Sequence, residues 1–237
     1  EKFGLNPLAL QTSYAMAENV FGVTQSSLEA GPTVVEIDRE SFMMEHLVNP
    51  PKVDRPSMKV MSSGRPLDNT KIRVINENGE DNLDRMVGEI MLQSDCMLSS
   101  YYNRPDATEL AMRDGWYLTG DYGFLADGEL YISGRKKDMI IVGGKNIYPQ
   151  DLEALTSEVP GVHPGRTVAF GMYDEEAGTE EVVIIAEVDS EEPSEQEVIA
   201  DAIRKHVTKS SAIALRHVKV VGEKWIVKTS SGKTARS

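Results

Sequence analysis

The segment VKTSSGKTARS at residues 227–237 contains a Gly-Lys-Thr triplet inside a Ser- and Gly-rich run. Such a triplet is typical of a phosphate-binding P-loop, which needs a first glycine five positions before the Gly-Lys pair. The residue five positions before Gly232 is Val227, so the sequence excludes a P-loop. Lys233 is then either part of a loose polar terminus or a cation whose role is set by the rest of the chain.

Composition limits the classes of protein to which this chain can belong. It has 237 residues, of which 40% are hydrophobic and 27% charged, enough for two compact units. No apolar run approaches the roughly 20 residues that span a bilayer. The net charge of −13 argues against nucleic acid or an acidic membrane as partner. The single cysteine, Cys96, leaves no internal disulfide and favours a cytoplasmic location, and its apolar flanks predict a packed core thiol.

The negative charge is concentrated in one stretch. Twelve carboxylates and no Lys or Arg lie between Asp174 and Asp201. This pattern is typical of a solvated acidic face around one strand and the start of one helix. A docking surface for a basic partner is the alternative.

The periodicity of the chain predicts two domains, 1–134 and 135–237. In the first domain we expect a short strand, a helix over Ala15–Phe21, an irregular insertion over 30–60, and a small antiparallel or barrel-like β unit. Turns at Asn78-Gly79 and Asp127-Gly128 punctuate this β unit. Its strands are expected over 71–76, 87–92 and 129–133.

The second domain is expected to be a compact α+β unit. One helix is predicted from Pro149 to Val159, and a second from a capping box at Ser194 and Glu197. Strands are expected over 139–142, 167–171, 182–188 and 218–221.

Five separated stretches together resemble the adenylate-forming enzymes, which include acyl-CoA ligases, fatty acyl-AMP ligases, luciferases and peptide-synthetase adenylation domains. The resemblance implies an α+β fold, with the tail end of a large adenylation domain, a small β-barrel-like subdomain and a mobile C-terminal lid domain. The stretches are QTSYAMAE (11–18), GEI (88–90) followed by Tyr101-Tyr102, GWYLTGD (115–121), GRKKDMIIVGGKNIYPQDLE (134–153) and SSGKTAR (230–236).

The resemblance implies a nucleotide site for ATP. Tyr14 offers a flat face on which adenine can stack. Asp121, expected in a turn, can accept both ribose hydroxyls, and the Arg135 guanidinium can reach the ribose or the phosphoryl oxygens. Ala17 stands where the family usually has threonine, so a hydroxyl contact to phosphate is lost. The alternatives are a half-buried tyrosine, an Asx-turn aspartate and a structural salt bridge.

The resemblance also assigns the catalytic cations. Glu18, four residues after Tyr14 and on the same face of the expected helix, is the ligand for Mg²⁺. Lys233 matches the lysine that bonds the carboxylate and α-phosphate oxygens during adenylation, where a cation lowers the cost of bringing two anions together.

Two further elements are expected to serve the second half-reaction. Asp138 matches the hinge between the two domains. Gly143, Gly144 and Lys145 match the loop along which the phosphopantetheine arm of the acyl acceptor passes, although a plain β-turn is the alternative.

Among the family, the chain looks most like a fatty acyl-AMP ligase. The 45 residues between Glu18 and Gly64 form a longer connection than acyl-CoA ligases usually have, and VVEIDRESF (34–42) resembles the corresponding insertion. The implied substrate is a fatty acid, and the implied acceptor is an acyl carrier protein or a polyketide synthase carrier domain. An acyl-CoA ligase, with CoA as acceptor, is the alternative.

The sequence begins at Glu1, and the family's Ser/Thr/Gly-rich triphosphate loop is not in it. We therefore expect a C-terminal portion of a longer enzyme that does not turn over alone. A protein-interaction module without catalytic activity is the alternative from a different class.

Overall fold

The computed structural model describes residues 4–211, 213–229 and 234. The chain divides into two compact units, Glu1–Lys136 and Lys137–Ser237. The division falls two residues after the expected boundary, so Arg135 belongs to the first unit. Both units combine helices with sheets, as the predicted α+β class requires. No helix in the described part of the chain combines the length and the apolar character that a membrane crossing needs.

The described residues of the first unit, 4–136, form ten strands and two α-helices. Its main sheet is antiparallel, in the order β10-β9-β7-β6 with β8 paired to β9, and β1-β2-β5 and β3-β4 form smaller sheets. The elements are β1 (Ser13–Ala15), β2 (Gly22–Gln25), β3 (Val34–Asp38), α1 (Arg39–Glu45), β4 (Ser57–Met61), β5 (Arg65–Pro66), β6 (Thr70–Ile75), β7 (Gly88–Ser94), α2 (Pro105–Ala111), β8 (Met112–Arg113), β9 (Trp116–Ala126) and β10 (Glu129–Arg135).

The hairpin between β9 and β10 forms at the predicted turn. Asp127 and Gly128 have φ angles of 55° and 78°, which is the left-handed pair that a two-residue hairpin loop requires. From this turn the register pairs Glu129 with Ala126 and continues to the pairing of Arg135 with Asp121. The turn therefore brings two predicted site residues opposite each other.

The predicted helix over Ala15–Phe21 is wrong. Tyr14 lies in β1 and pairs with Thr24 of β2, while a single 3-10 turn covers Ala17–Asn19. Val20 follows with a φ of 61°, a conformation that a β-branched residue cannot hold inside an α-helix. The Ala-rich local sequence favours a helix, but pairing with β2 and packing against the core overrides that preference.

The insertion is also more regular than predicted. Residues 34–61 fold as β3, α1 and β4, with the Asp38 carboxylate accepting a bond of 2.8 Å from the Ser41 amide at the start of α1. That hydrogen bond lowers the pKa of Asp38 below its usual value. Phe42 of α1 is buried edge-on against Phe124 of β9, with ring centroids 6.2 Å apart. The prolines that suggested an irregular segment fall outside these elements.

Gly64 lies where the insertion returns to the sheet. Its φ is +94°, and a Cβ atom there would lie 1.9 Å from the Gln25 carbonyl carbon and 2.2 Å from the Ser26 amide nitrogen. The two ends of the insertion therefore run side by side, in backbone contact that only glycine permits.

Replacing Gly64 with alanine is expected to lower the free energy of unfolding by at least roughly 3 kcal/mol. The alanine would hold a strained positive φ, and the backbone of Gln25 and Ser26 would also have to move away from its Cβ atom. Gly120→Ala is the matched control, since its φ of +69° is unfavourable but no atom lies within 4 Å of the added Cβ. It should cost only roughly 1–2 kcal/mol. Denaturant unfolding followed by Trp116 fluorescence, in a Trp225→Phe background, measures both. Equal losses would contradict the steric argument.

In the part of the second unit that the structure describes, there are five strands and two α-helices. β13 pairs antiparallel with β14, and β14 pairs parallel with β15, so the chain must cross over between them through a helix. Helices α3 and α4 contact each other and strands β13 and β15 respectively. The elements are β11 (Ile140–Val142), β12 (Lys145–Ile147), α3 (Pro149–Ser157), β13 (Val162–Asp174), β14 (Thr179–Val188), α4 (Pro193–Ser211) and β15 (His217–Val221).

Two local predictions fail. Helix α4 begins at Pro193, so Ser194 lies inside its first turn and does not form the predicted capping box. Proline is suited to the first helical position because its φ is already helical and its missing amide costs nothing there. Cys96 is exposed instead of packed, since it follows the end of β7 in a turn.

Candidate functional site

Asp121 is the centre of a charged cluster in the first unit. It is only 6% exposed, and it lies in β9, not in the predicted turn. Its Oδ2 accepts a hydrogen bond of 2.5 Å from the Tyr14 hydroxyl, and its Oδ1 accepts one of 3.0 Å from Arg135 Nε. Three residues from separate motifs are thus brought together at one carboxylate.

Thr119 fixes the backbone beside this carboxylate. Its Oγ1 accepts a bond of 3.0 Å from the Asp121 amide and donates one of 2.9 Å to the Ile90 carbonyl on β7. Gly120, between them, has a φ of 69°. The strand therefore departs from regular pleating where Asp121 must point toward Tyr14.

Tyr14 is held by the pairing of β1 with β2. Its amide donates to Thr24 Oγ1 at 3.2 Å, and that hydroxyl donates to the Ser63 carbonyl at 2.6 Å. Burial, reinforced by the negative charge of Asp121, raises the pKa of Tyr14 well above its usual value. The phenol is therefore a neutral donor throughout the physiological pH range.

Glu18 belongs to a second cluster, built from tyrosines. Its Oε1 accepts a bond of 3.0 Å from the Tyr101 hydroxyl, which lies 2.9 Å from the Tyr117 hydroxyl. Burial raises the pKa of both tyrosines. Because Tyr14 is in a strand and Glu18 is in the 3-10 turn, the expected shared helical face does not exist. Ala17, which begins that turn, is exposed.

Lys136 and Glu89 form an ion pair that the sequence did not predict. Lys136 Nζ lies 2.7 Å from Glu89 Oε2, and Glu89 is 7% exposed. Both residues fall inside quoted motifs, but no local spacing links them. Only the strand register could have indicated the contact.

The remaining expected site residues lie in the second unit or outside the described residues. Gly143 and Gly144, with φ of 57° and 77°, form the two-residue turn that joins β11 to Lys145 at the start of β12. The Gly143 amide donates to Thr179 Oγ1 at 2.7 Å. Asp138 ends a 3-10 turn that begins at Lys136. Lys233 lies outside the described residues.

Part of the acidic stretch 174–201 is engaged within the second unit. Glu187 is 2% exposed and accepts a bond of 2.6 Å from the Ile226 amide. Glu181 pairs with Arg216 and His217, and Glu180 accepts from the Ile141 amide. These carboxylates stabilise strand ends, so the stretch is not a uniformly solvated face.

Comparison with known proteins gives long-chain fatty-acid ligases among the relatives of this chain. The chain is 31% identical over 255 residues to the long-chain-fatty-acid–AMP ligase FadD26 of Mycobacterium tuberculosis, covering 99% of this chain and 42% of that protein. It is 43% identical over 127 residues to the long-chain-fatty-acid–CoA ligase FadD13 of the same species, covering 53% of this chain and 23% of that protein. No protein-family model matches the chain.

A solved structure agrees with these relatives. A chain from a study of fatty acyl-adenylate ligases from E. coli and L. pneumophila matches with a TM-score of 0.86 and 27% identity, covering 99% of this chain and 42% of that one. The chain spans about two fifths of the length of its full-coverage relatives. The homologues of the chain thus include fatty acyl-AMP ligases and related ligases, its structural neighbours are adenylate-forming enzymes, and its extent is consistent with a C-terminal portion of such a protein.

Proposed function

We propose that this chain is the C-terminal part of an ATP-dependent ligase that adenylates a fatty acid and passes the acyl group to the phosphopantetheine of a carrier protein. The observation that carries the proposal is the convergence of Tyr14, Asp121 and Arg135 within hydrogen-bonding distance. These residues come from three separate family motifs. We place the enzyme in the reducing cytoplasm, where a lone exposed thiol such as Cys96 persists.

In this proposal the cluster binds the nucleoside. A carboxylate offers about four acceptor sites, of which Tyr14 and Arg135 use two. Asp121 can therefore accept the ribose hydroxyls without losing both present partners. The ring of Tyr14 stacks with adenine, and Arg135 turns toward the phosphoryl oxygens.

Glu18 is the proposed Mg²⁺ ligand. Its Oε1 accepts from Tyr101, which leaves Oε2 as a hard anionic oxygen of the kind that Mg²⁺ prefers. One protein carboxylate together with substrate phosphates and waters is a common Mg²⁺ environment. The ion would supply neutralisation of the phosphate charge, while Tyr101 and Tyr117 hold the carboxylate in place.

An acyl-CoA ligase is the second candidate, favoured by the 43% identity to FadD13 over half of the chain. The two candidates share adenylation and differ in the acceptor. The folded insertion β3-α1-β4 supports the fatty acyl-AMP ligase, because the resemblance implies that such an insertion restrains the domain rotation that CoA needs.

Removing the insertion is expected to let the whole ligase make acyl-CoA. Residues 28–61 are the segment to delete, since the Gly64 and Ser26 backbones are already in contact and a short glycine linker closes the gap. Mass spectrometry with CoA present gives the readout. A folded deletion variant that still ignores CoA contradicts the prediction.

The proposed function is tested on the whole ligase with ATP, Mg²⁺ and dodecanoic acid, with and without CoA. Accumulating acyl-AMP that CoA does not alter supports the fatty acyl-AMP ligase, and acyl-CoA supports the second candidate. If no adenylate forms and a non-hydrolysable dodecanoyl-AMP analogue gives no binding heat, the non-catalytic interaction module is favoured.

A further inference from the structure

Two adjacent cations at the end of β10 are held by carboxylates on two different strands. Arg135 pairs with Asp121 on β9, the neighbouring strand. Lys136 reaches past β9 to Glu89 on β7, at 2.7 Å. The C-terminal end of β10 is thus joined by ion pairs to β9 and to β7.

The two ion pairs lie on opposite faces of the sheet. Cross-strand partners share a face, and the register pairs Asp121 with Arg135 and Glu89 with Tyr122. Asp121 and Tyr122 are consecutive in β9, so their side chains point to opposite faces. A ligand that draws Arg135 away from Asp121 therefore leaves the Lys136 contact intact.

The Lys136 contact, like the Arg135 contact, ends on a buried carboxylate. Glu89 is buried, and a buried carboxylate needs a cation and hydrogen bonds to offset its desolvation. The hydrogen bond that Lys136 donates to Glu89 raises the pKa of Lys136, so the ammonium persists across physiological pH. Lys136 is, moreover, the last residue of the first unit.

We propose that the Lys136–Glu89 ion pair is a positioning contact that keeps the end of β10 fixed when Arg135 engages the nucleotide, so that the backbone turns only from Lys137 onward. The inference rests on the proposed function, in which Asp138 lies at the pivot between half-reactions. Lys136 touches neither substrate nor reacting atoms in this scheme.

Hydrogen exchange on the 237-residue chain tests the contact directly. Glu89→Gln and Lys136→Met should each speed exchange of the amides of residues 134–136 by about tenfold, the effect of losing one hydrogen bond between charged groups. Lys136→Arg should retain protection. Lys137→Met is the matched control, since the described residues give Lys137 no ion pair, and it should change nothing. Unchanged exchange in Glu89→Gln and Lys136→Met overturns the proposal.

Turnover of the whole ligase distinguishes a positioning role of the Lys136–Glu89 ion pair from a purely structural one. Lys136→Met should slow turnover by about tenfold while the KM for ATP stays within about twofold, because the nucleotide contacts are intact. Lys136→Arg should restore most of the rate. Faster exchange with normal turnover would make the pair purely structural and overturn the positioning role. A wild-type ligase that forms no acyl-adenylate would instead refute the proposed function. The exchange result would still decide whether the Lys136–Glu89 ion pair fixes the end of β10.

Discussion

Replacing Asp121 with alanine in the whole ligase is expected to weaken binding of a non-hydrolysable dodecanoyl-AMP analogue by about 10²-fold. Hydrogen bonds to a charged group contribute about 1.5–3 kcal/mol each, and 2.7 kcal/mol corresponds to about 10²-fold in affinity. The side chain is buried and already oriented by Thr119 and Arg135, so no ordering cost offsets this loss. Titration calorimetry measures the affinity.

Two tyrosine variants separate this effect from a general disturbance. Tyr14→Phe removes the hydroxyl that donates to Asp121 but keeps the ring, so analogue affinity should change by less than about fivefold. Tyr14→Ala removes the stacking surface as well and should cost about 1–3 kcal/mol. Equal affinities for Asp121→Ala and the wild type would show that ribose recognition lies elsewhere.

Replacing Lys233 with alanine is expected to lower the rate of adenylate formation by about 10²–10³, the usual loss when one preorganised donor to a developing anion is removed. The nucleophile and the α-phosphate are both anions, so the missing cation acts mainly on the transition state. The KM values for ATP and fatty acid should therefore change less than kcat does. Pyrophosphate exchange measures the first half-reaction.

Acyl transfer from supplied acyl-adenylate provides the internal control for Lys233→Ala. That step brings no two anions together at the α-phosphate, so its rate should stay within about threefold of the wild type. Lys233→Arg keeps the charge but changes its geometry and should retain a fraction of the adenylation rate. Full adenylation activity in Lys233→Ala would favour the loose polar terminus instead.

Local signals in the sequence predicted part of one hairpin in the first unit. The Asp127-Gly128 turn and the strand after it were predicted, whereas the strand before it was not, and Asp121 was expected in a turn. The motifs supplied Asp121 and Arg135 as candidates, and the hairpin register explains why they meet. The turn was therefore predicted from a short-range pattern, and the contact between Asp121 and Arg135 was not.

Long-range strand pairing accounts for the wrong helix prediction over Ala15–Phe21 and for the contacts that were not predicted. Nothing near Tyr14 indicates that it pairs with Thr24 or that its hydroxyl reaches Asp121, which lies 107 residues away. Local helix propensity was the only signal available, and tertiary pairing overrode it. The Glu89–Lys136 contact is similar, because it depends on the register of three strands at once.

The β9–β10 hairpin also has a consequence for the order in which the cluster assembles during folding. Asp121 and Arg135 are 14 residues apart and are joined by a tight turn, and isolated hairpins close in about 1–10 μs. Tyr14 reaches Asp121 only after a much larger loop has closed, and such distant contacts form more slowly. The Arg135–Asp121 salt bridge is therefore expected to form before the hydrogen bond from the Tyr14 hydroxyl to Asp121. In a growing or refolding chain the Asp121 carboxylate is then neutralised before it is buried.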